Sequence, residues 1–261
     1  MASYYLVAGA GTSVYLRYMI PMIPLLCMAA GVGLVTLIQR VKNSAPSFAV
    51  LGAGLLIAAP TALASWRHNQ LLAGPDTRQL AARWVVENIP AGSTLALTGS
   101  DYGYPRLSRS RLWLEHARDD QRRNGHDASR LSLRLALKDY PIEPSYYVFE
   151  IRPDNPQALR TVLETEWPAQ VLYNAGVEWV ITQEHSLIFS QLAPRLRETL
   201  SESAQLVASF DPFTPGTKKP PFDPIDAFYS PIGEFSAARY SGPMITIYQL
   251  RGTELGQDYG G

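Results

Sequence analysis

Acidic side chains are missing from the first quarter of this sequence. All 23 carboxylates lie from Asp76 onward, and up to Trp66 the only charged side chains are Arg17, Arg40 and Lys42. Cysteine is nearly absent. The single Cys27 sits in an apolar run, so no intrachain disulfide and no cysteine-held metal cluster can form, and it reads as a small packing residue. A basic excess is lacking too: 23 basic side chains balance 23 acidic ones, which argues against a nucleic-acid binder. The uneven placement of charge implies two solvents in turn, lipid first and water second.

Common catalytic motifs are also wanting. No P-loop, nucleophile elbow or HExxH is present. Gly9-x-Gly11 and Gly52-x-Gly54 lack the third glycine of a dinucleotide fingerprint and lie in or beside apolar segments. The histidines at 68, 116, 126 and 185 show no metal-ligand spacing among themselves. No cofactor and no metal is implied.

What is present first is a pair of uncharged stretches. Residues 18–38 read YMIPMIPLLCMAAGVGLVTLI, and residues 47–66 read SFAVLGAGLLIAAPTALASW. Each meets the ~20 predominantly apolar residues that a membrane span needs. Two transmembrane helices are therefore expected. Small residues one turn apart, Ala29 with Gly33 and Gly54 with Ala58, mark either faces packed in a larger bundle or alanine-rich helix without a partner face. Pro21, Pro24 and Pro60 would break a helix in water, but neighbours in a bundle can satisfy the freed backbone groups. A cleaved signal peptide fits poorly, because a second span follows a run that is already too long.

Orientation follows from the loop at 39–46, which carries Arg40 and Lys42 and no acid and so stays cytoplasmic. Everything after Trp66 is then extracytoplasmic, although Arg17 and Arg67 put positive charge on that side as well. Tyr15, Tyr18 and Trp66 fall at the outer interface, where amphipathic rings are favoured. Residues 1–17 read as an outer-face segment or the stump of a preceding span.

Residues 67–250 read as a water-soluble domain. Asp76 caps a helix over 77–89, whose Leu80, Ala81, Trp84, Val85 and Ile89 recur at helical spacing and which Pro90 and Gly92 end. Strands are expected at 94–98, 146–151, 177–182, 205–210 and 244–250, the last as an antiparallel edge. Helices are expected at 155–167, at 169–174 with Gly176 as its cap, and at 187–203. Residues 106–139 read as one surface excursion with a helix near 130–138. Residues 211–231 form a proline-rich loop, and 251–261 a flexible tail. Alternating strands and helices give an α/β class: a small, mostly parallel, Rossmann-like three-layer domain behind the two spans.

Ligands of open α/β sheets gather at the carboxyl ends of the strands. Asp101 and Tyr102 follow the first strand, and Glu184 and His185 the third, so these four mark a sheet-edge site. His185 is a proton shuttle or ligand there, or simply positions the next helix. Asp223, Asp226 and Glu234 offer oxygen ligands for a cation or belong to a solvated loop. Phe213, Phe222, Phe228, Tyr229 and Phe235 are too many for an exposed loop and pin it to the domain or to a membrane neighbour. Arg17, at the outer mouth of the first span, either grips a phosphate bidentately or snorkels to lipid headgroups.

Three strings carry a family resemblance: LRYMIPMIPLLCMAAGVGL at 16–34, DTRQLAARWVVENIPAGS at 76–93 and FDPIDAFYSPIGEFSAARYSGPMITIYQL at 222–250. Together they resemble the C-terminal region of bacterial GT-C membrane glycosyltransferases of the family 39 kind, related to protein O-mannosyltransferases and the lipid A aminoarabinose transferase. The resemblance implies a polyprenyl-phosphate sugar donor and an acceptor on the outer membrane face. It also implies a catalytic acid in the first outer loop of a protein with many spans. No carboxylate precedes Asp76, so that acid is missing here. Arg17 alone carries over, as a donor-phosphate contact. The expected function is thus the C-terminal portion of such a transferase, inactive alone and partnered by membrane lipid and the enzyme's remaining spans. The rivals are a membrane-tethered binding or interaction module and a hydrolase working at the sheet edge.

Overall fold

The computed structural model describes residues 23–41, 47–151, 168–187, 190–223 and 229–251. Arg17, Asp226, Phe228, the expected helix at 155–167 and the tail from 252 lie outside the described residues. Two long helices come first, α1 (Ile23–Val41) and α2 (Ser47–Ala73). Pro24 falls in the first turn of α1, where a missing amide proton costs nothing. Large apolar side chains stand exposed along both helices: Leu26, Met28 and Val32 on α1, and Leu55, Leu56 and Ile57 on α2.

Among the described residues one helix, Ile23–Arg40, is long and apolar enough to cross a membrane. The expectation of two spans is corrected to one candidate. The stretch at 47–66 is not an element of its own; it is the larger part of α2, which runs on past Trp66 to Ala73. The reason is local. Arg67, His68, Asn69 and Gln70 include no breaker, so the helix persists until Gly74 and Pro75 end it. Pro60 lies inside α2 without ending it.

The soluble part is built from α3 (Thr77–Asn88), β1 (Thr94–Thr98), β2 (Ser108–Arg109), α4 (Arg111–Arg123), α5 (Ser129–Ala136) and β3 (Ser145–Ile151). It continues with α6 (Pro168–Asn174), β4 (Trp179–Glu184), α7 (Pro194–Ser203), β5 (Ala204–Phe210) and β6 (Met244–Leu250). The six strands form one sheet in the order β2-β3-β1-β4-β6-β5. The β2–β3, β1–β3 and β1–β4 pairs are parallel, while β6 runs antiparallel to both β4 and β5. The sheet is mostly parallel, as expected. The last strand is antiparallel but not an edge: it inserts between β4 and β5. Ile245 and Ile247 are fully buried and need cover on both sides, whereas β5, with Leu206 exposed, has the broken pattern of an edge.

Side chains alternate across the sheet. Leu95, Leu97, Trp179, Ile181, Ile245 and Ile247 point to one face, where Ala81, Val85 and Ile89 of α3 cover them. Ala96 and Val180 point to the other, under Leu172 of α6 and Leu196 and Leu200 of α7. Each fully buried aliphatic side chain stabilises the fold by roughly 1.5–3 kcal/mol, so these two layers carry most of the hydrophobic stabilisation.

Two further expectations change. The helix expected near 130–138 is present as α5, but the excursion before it is a second helix, α4; each turns one leucine inward, Leu114 and Leu135. The helix expected at 187–203 begins only at Pro194. Proline disfavours helical backbone in the residue before it, and it opens a helix well because its own amide is not needed there.

The end of α2 is docked onto the domain. Ala64, His68 and Leu71 fall at i, i+4 and i+7 on the less exposed side of the helix. The His68 ring stacks on Phe235 at 4.8 Å, and its Nε2 lies 3.1 Å from Ser230 Oγ. Leu71 is buried, and its carbonyl accepts from Ser241 Oγ. The Thr77 amide donates to Ser241 O at 2.9 Å, and Thr77 Oγ1 to Pro243 O at 2.7 Å. This approach needs glycine at 242: its φ is +103°, and a Cβ there would stand 2.1 Å from Thr77 Oγ1.

Asp76 sits at the centre of this junction. Its carboxylate accepts from the Arg78 amide at 2.8 Å, Gln79 completes the capping box, and the Arg78 guanidinium grips the same carboxylate through Nε and Nη2. Asp76→Ala removes cap and ion pair together. It should lower stability by about 1–2 kcal/mol in thermal unfolding of the detergent-solubilised chain, while Asp76→Asn recovers most of the loss. Equal effects of the two variants would contradict the capping role.

Candidate functional site

Chain connections diverge at the carboxyl ends of β1 and β4. From β1 the chain leaves toward β2 and β3; from β4 it leaves toward β5 on the opposite side. Open α/β sheets ordinarily hold their ligands in this crevice. Here the protein's own side chains occupy it. Gln183, near the end of β4, reaches across to β1 and is 2% exposed. Its Nε2 donates to Thr98 O at 2.9 Å and to Ser100 O at 2.7 Å. Its Oε1 lies 3.3 Å from both Ser190 Oγ and the Tyr229 hydroxyl, and because those two hydroxyls share one proton between them, the other proton is the one Oε1 accepts. Both amide donors are used, and the carbonyl is satisfied.

Tyr229 completes the plug. Its hydroxyl lies 2.6 Å from Ser190 Oγ and 3.4 Å from Ser100 Oγ. Its backbone is left-handed at φ 51°, an uncommon conformation for a ring-bearing residue that the surrounding network over-determines. Gly103 has no room for a side chain: a Cβ there would fall 1.5 Å from Gln183 Oε1. Replacing Gln183 by Ala strands two strand-end carbonyls and two hydroxyls. We expect a loss of at least about 2 kcal/mol in thermal unfolding; an unchanged midpoint would show that this amide does not hold the crevice.

The four expected sheet-edge residues share this edge but do not converge. Asp101 and Tyr102 lie in an exposed 3-10 turn after β1, and the Tyr102 carbonyl accepts from Arg78 Nη1. Glu184 is paired with Arg197 of α7 at 2.6 Å. Between these pairs stands Tyr229, with the His185 ring 5.0 Å to one side and the Arg78 guanidinium 5.5 Å to the other. Of the loop acids, Asp223 and Glu234 are described and Asp226 is not; among the described residues no group of three His, Cys, Asp or Glu could hold a metal ion.

His185 is the chemically distinctive group. Its Nδ1 accepts from the Leu187 amide at 3.3 Å, which puts the proton of the neutral ring on Nε2. That Nε2 is buried and makes no hydrogen bond among the described residues. Burial, and next the charge of Lys219, push its pKa from 6.5 down to about 4. Phe222 meets the ring edge-on at 4.3 Å. Among the described residues no carboxylate bonds the imidazole, and Ser190 Oγ bonds Tyr229 and Gln183 rather than His185, so they assemble no nucleophile–base pair at this edge. Nothing here supports the hydrolase reading.

The ring adjoins a cavity of about 390 Å³, lined by Glu184, His185, Phe213, Lys219, Phe222 and Met244. A wider groove of about 740 Å³ runs along α4 past Trp113, His116 and Tyr147. Its acids are already matched, Asp119 by Arg118 and Asp120 by Arg123. Sequence reasoning missed Gln183 and Ser190 altogether. The signal for them was indirect: two glycines, Gly99 and Gly103, flank the turn that Gln183 presses against.

The depressed pKa makes stability depend on pH. Between about pH 6.5 and pH 4 the unfolded chain takes up a proton on His185 that the folded chain refuses, so stability falls as pH falls through that window. Melting curves of the wild type and of His185→Gln should diverge over this range, the wild type losing more; parallel curves would contradict a neutral, buried His185. No family model, no curated protein and no solved structure matches this chain.

Proposed function

We propose that this chain is the C-terminal portion of an integral-membrane, GT-C-type glycosyltransferase that uses a lipid-phosphate-linked sugar, with its α/β domain fixed on the extracytoplasmic face. The observation that carries the reading is the continuity of α2. One helix holds exposed Leu55, Leu56 and Ile57 in its middle and a domain-buried Leu71 in its last turns. A continuous helix of 27 residues, about 40 Å at 1.5 Å per residue, supports a domain held at a fixed height and angle to an apolar helix.

The apolar helices also support missing neighbours. Gly31, Gly33, Gly52 and Gly54 have nothing within 4 Å of a Cβ position, so no helix among the described residues packs on those positions. Further spans of the same enzyme would cover them. No carboxylate precedes Asp76, so the transferring acid comes from those spans, and Arg17 contributes at most a contact to the donor phosphate. A binding role without chemistry, as a tethered module, remains the second reading, favoured by the cavity beside His185.

The test combines placement and activity. A phosphatase fused after Leu250 should be active, and the purified chain alone should transfer no sugar from a polyprenyl-phosphate donor. Transfer should require co-expression with a polypeptide supplying the missing spans. A fusion that is active only as a cytosolic reporter, or turnover by the chain alone, would overturn the proposal.

A further inference from the structure

The cavity beside His185 has the chemistry of a binding site rather than of a packing flaw. At about 390 Å³ it falls in the ~300–1,000 Å³ range of small-ligand pockets. Three kinds of wall meet in it. Phe213, Phe222 and Met244 supply an apolar lining, with the two phenyl rings edge to face at 6.0 Å. Lys219 stands at the rim, exposed, its Nζ 5.4 Å above the Phe213 ring and without a carboxylate partner among the described residues. His185 supplies an Nε2–H that nothing among the described residues accepts from, the atom itself being covered by its surroundings. The one acid in the wall, Glu184, is already neutralised by Arg197. The pocket's polar groups without a partner among the described residues are thus one cation, one neutral N–H donor and the Ser186 hydroxyl, and all three can donate to an acceptor of negative charge.

Position narrows the ligand further. Met244 pairs with Glu184 at the same sheet edge where Ser241 receives the end of α2 and Pro243 the start of α3. The pocket therefore lies at the end of the domain to which the apolar helix leads.

We propose that this pocket binds an organic anion with an apolar body. The anionic head, a carboxylate or phosphate ester, sits on the Lys219 ammonium and the Ser186 hydroxyl, and a small turn of the His185 ring brings its covered Nε2–H to the same oxygen atoms. The body lies on Phe213, Phe222 and Met244. Lipid headgroups and soluble phosphate esters share this chemistry. The inference does not rest on the transferase reading, since it concerns only this chain's own side chains.

The test uses the full chain in detergent or in lipid nanodiscs, with ¹⁵N-labelled histidine. Four ring systems then report, and the His185 signal is identified by its loss in His185→Gln. Phenyl phosphate is the soluble probe, inorganic phosphate is the head without a body, and nanodiscs with or without phosphatidylglycerol test a lipid source. Phenyl phosphate should shift the His185 Nε2 signal saturably. Lys219→Met, at an exposed position, should weaken that binding about tenfold or more without lowering the melting point. A shift produced by phosphatidylglycerol nanodiscs alone also supports the site and names the lipid as its source. Three outcomes overturn it: no saturable shift from either source, equal binding by Lys219→Met, or inorganic phosphate binding as tightly as phenyl phosphate.

Discussion

One helix that joins an exposed apolar stretch to a domain-buried stripe constrains everything else in this molecule. A helix in lipid satisfies its backbone internally and presents apolar side chains all round; a helix on a soluble domain buries one stripe only. α2 carries both patterns in sequence. Leu55, Leu56 and Ile57 are exposed in its middle, and on either side of Trp66 the stripe of Ala64, His68 and Leu71 turns onto the sheet domain. Because no turn intervenes, the α/β domain cannot swing freely on a linker. The His68–Phe235 stack, the Ser241 contacts and the Asp76 cap fix the angle at which the chain enters α3. The carboxyl edge of the sheet then faces the side from which the helix arrives.

That edge is where an α/β fold would ordinarily work, and its usual crevice is occupied. Gln183 bridges β1 and β4, and Ser190 and Tyr229 close the remaining polar valences. A fully satisfied buried network of this sort rigidifies its surroundings and is costly to disturb. The open cavity lies to one side, where the His185 ring packs against Tyr229 of the plug and adjoins Lys219 and two phenylalanines. The fold keeps the topology of a ligand-binding sheet while moving its accessible pocket outward.

Much of the frame was legible in the residues alone. Period-two apolar strands, the Asp76 cap and the Gly176 stop depend on neighbours within a few residues, and local chemistry decided them. What escaped depends on distant partners. Nothing near Trp66 says that α2 will run on, because the stabilising contacts lie some 160 residues away at Ser230 and beyond. The place of β6 between β4 and β5 is set by pairing across the chain, not by its own pattern, which suits an edge equally well. Site residues divide the same way. His185 is conspicuous as a rare titratable residue at a strand end. Gln183 is an ordinary glutamine until Gly99 and Gly103 are seen to make room for it.

The most direct measurement is a nitroxide scan along α2, one label at a time from residue 52 to residue 72, reading accessibility to oxygen and to a water-soluble nickel chelate in lipid nanodiscs. High oxygen and low nickel accessibility around Leu55 to Leu63, passing within a single helical periodicity to protected positions at His68 and Leu71, is the expected result. Nickel accessibility along the whole helix, or a loss of periodicity at Trp66, would contradict the seating of one continuous helix in both membrane and domain.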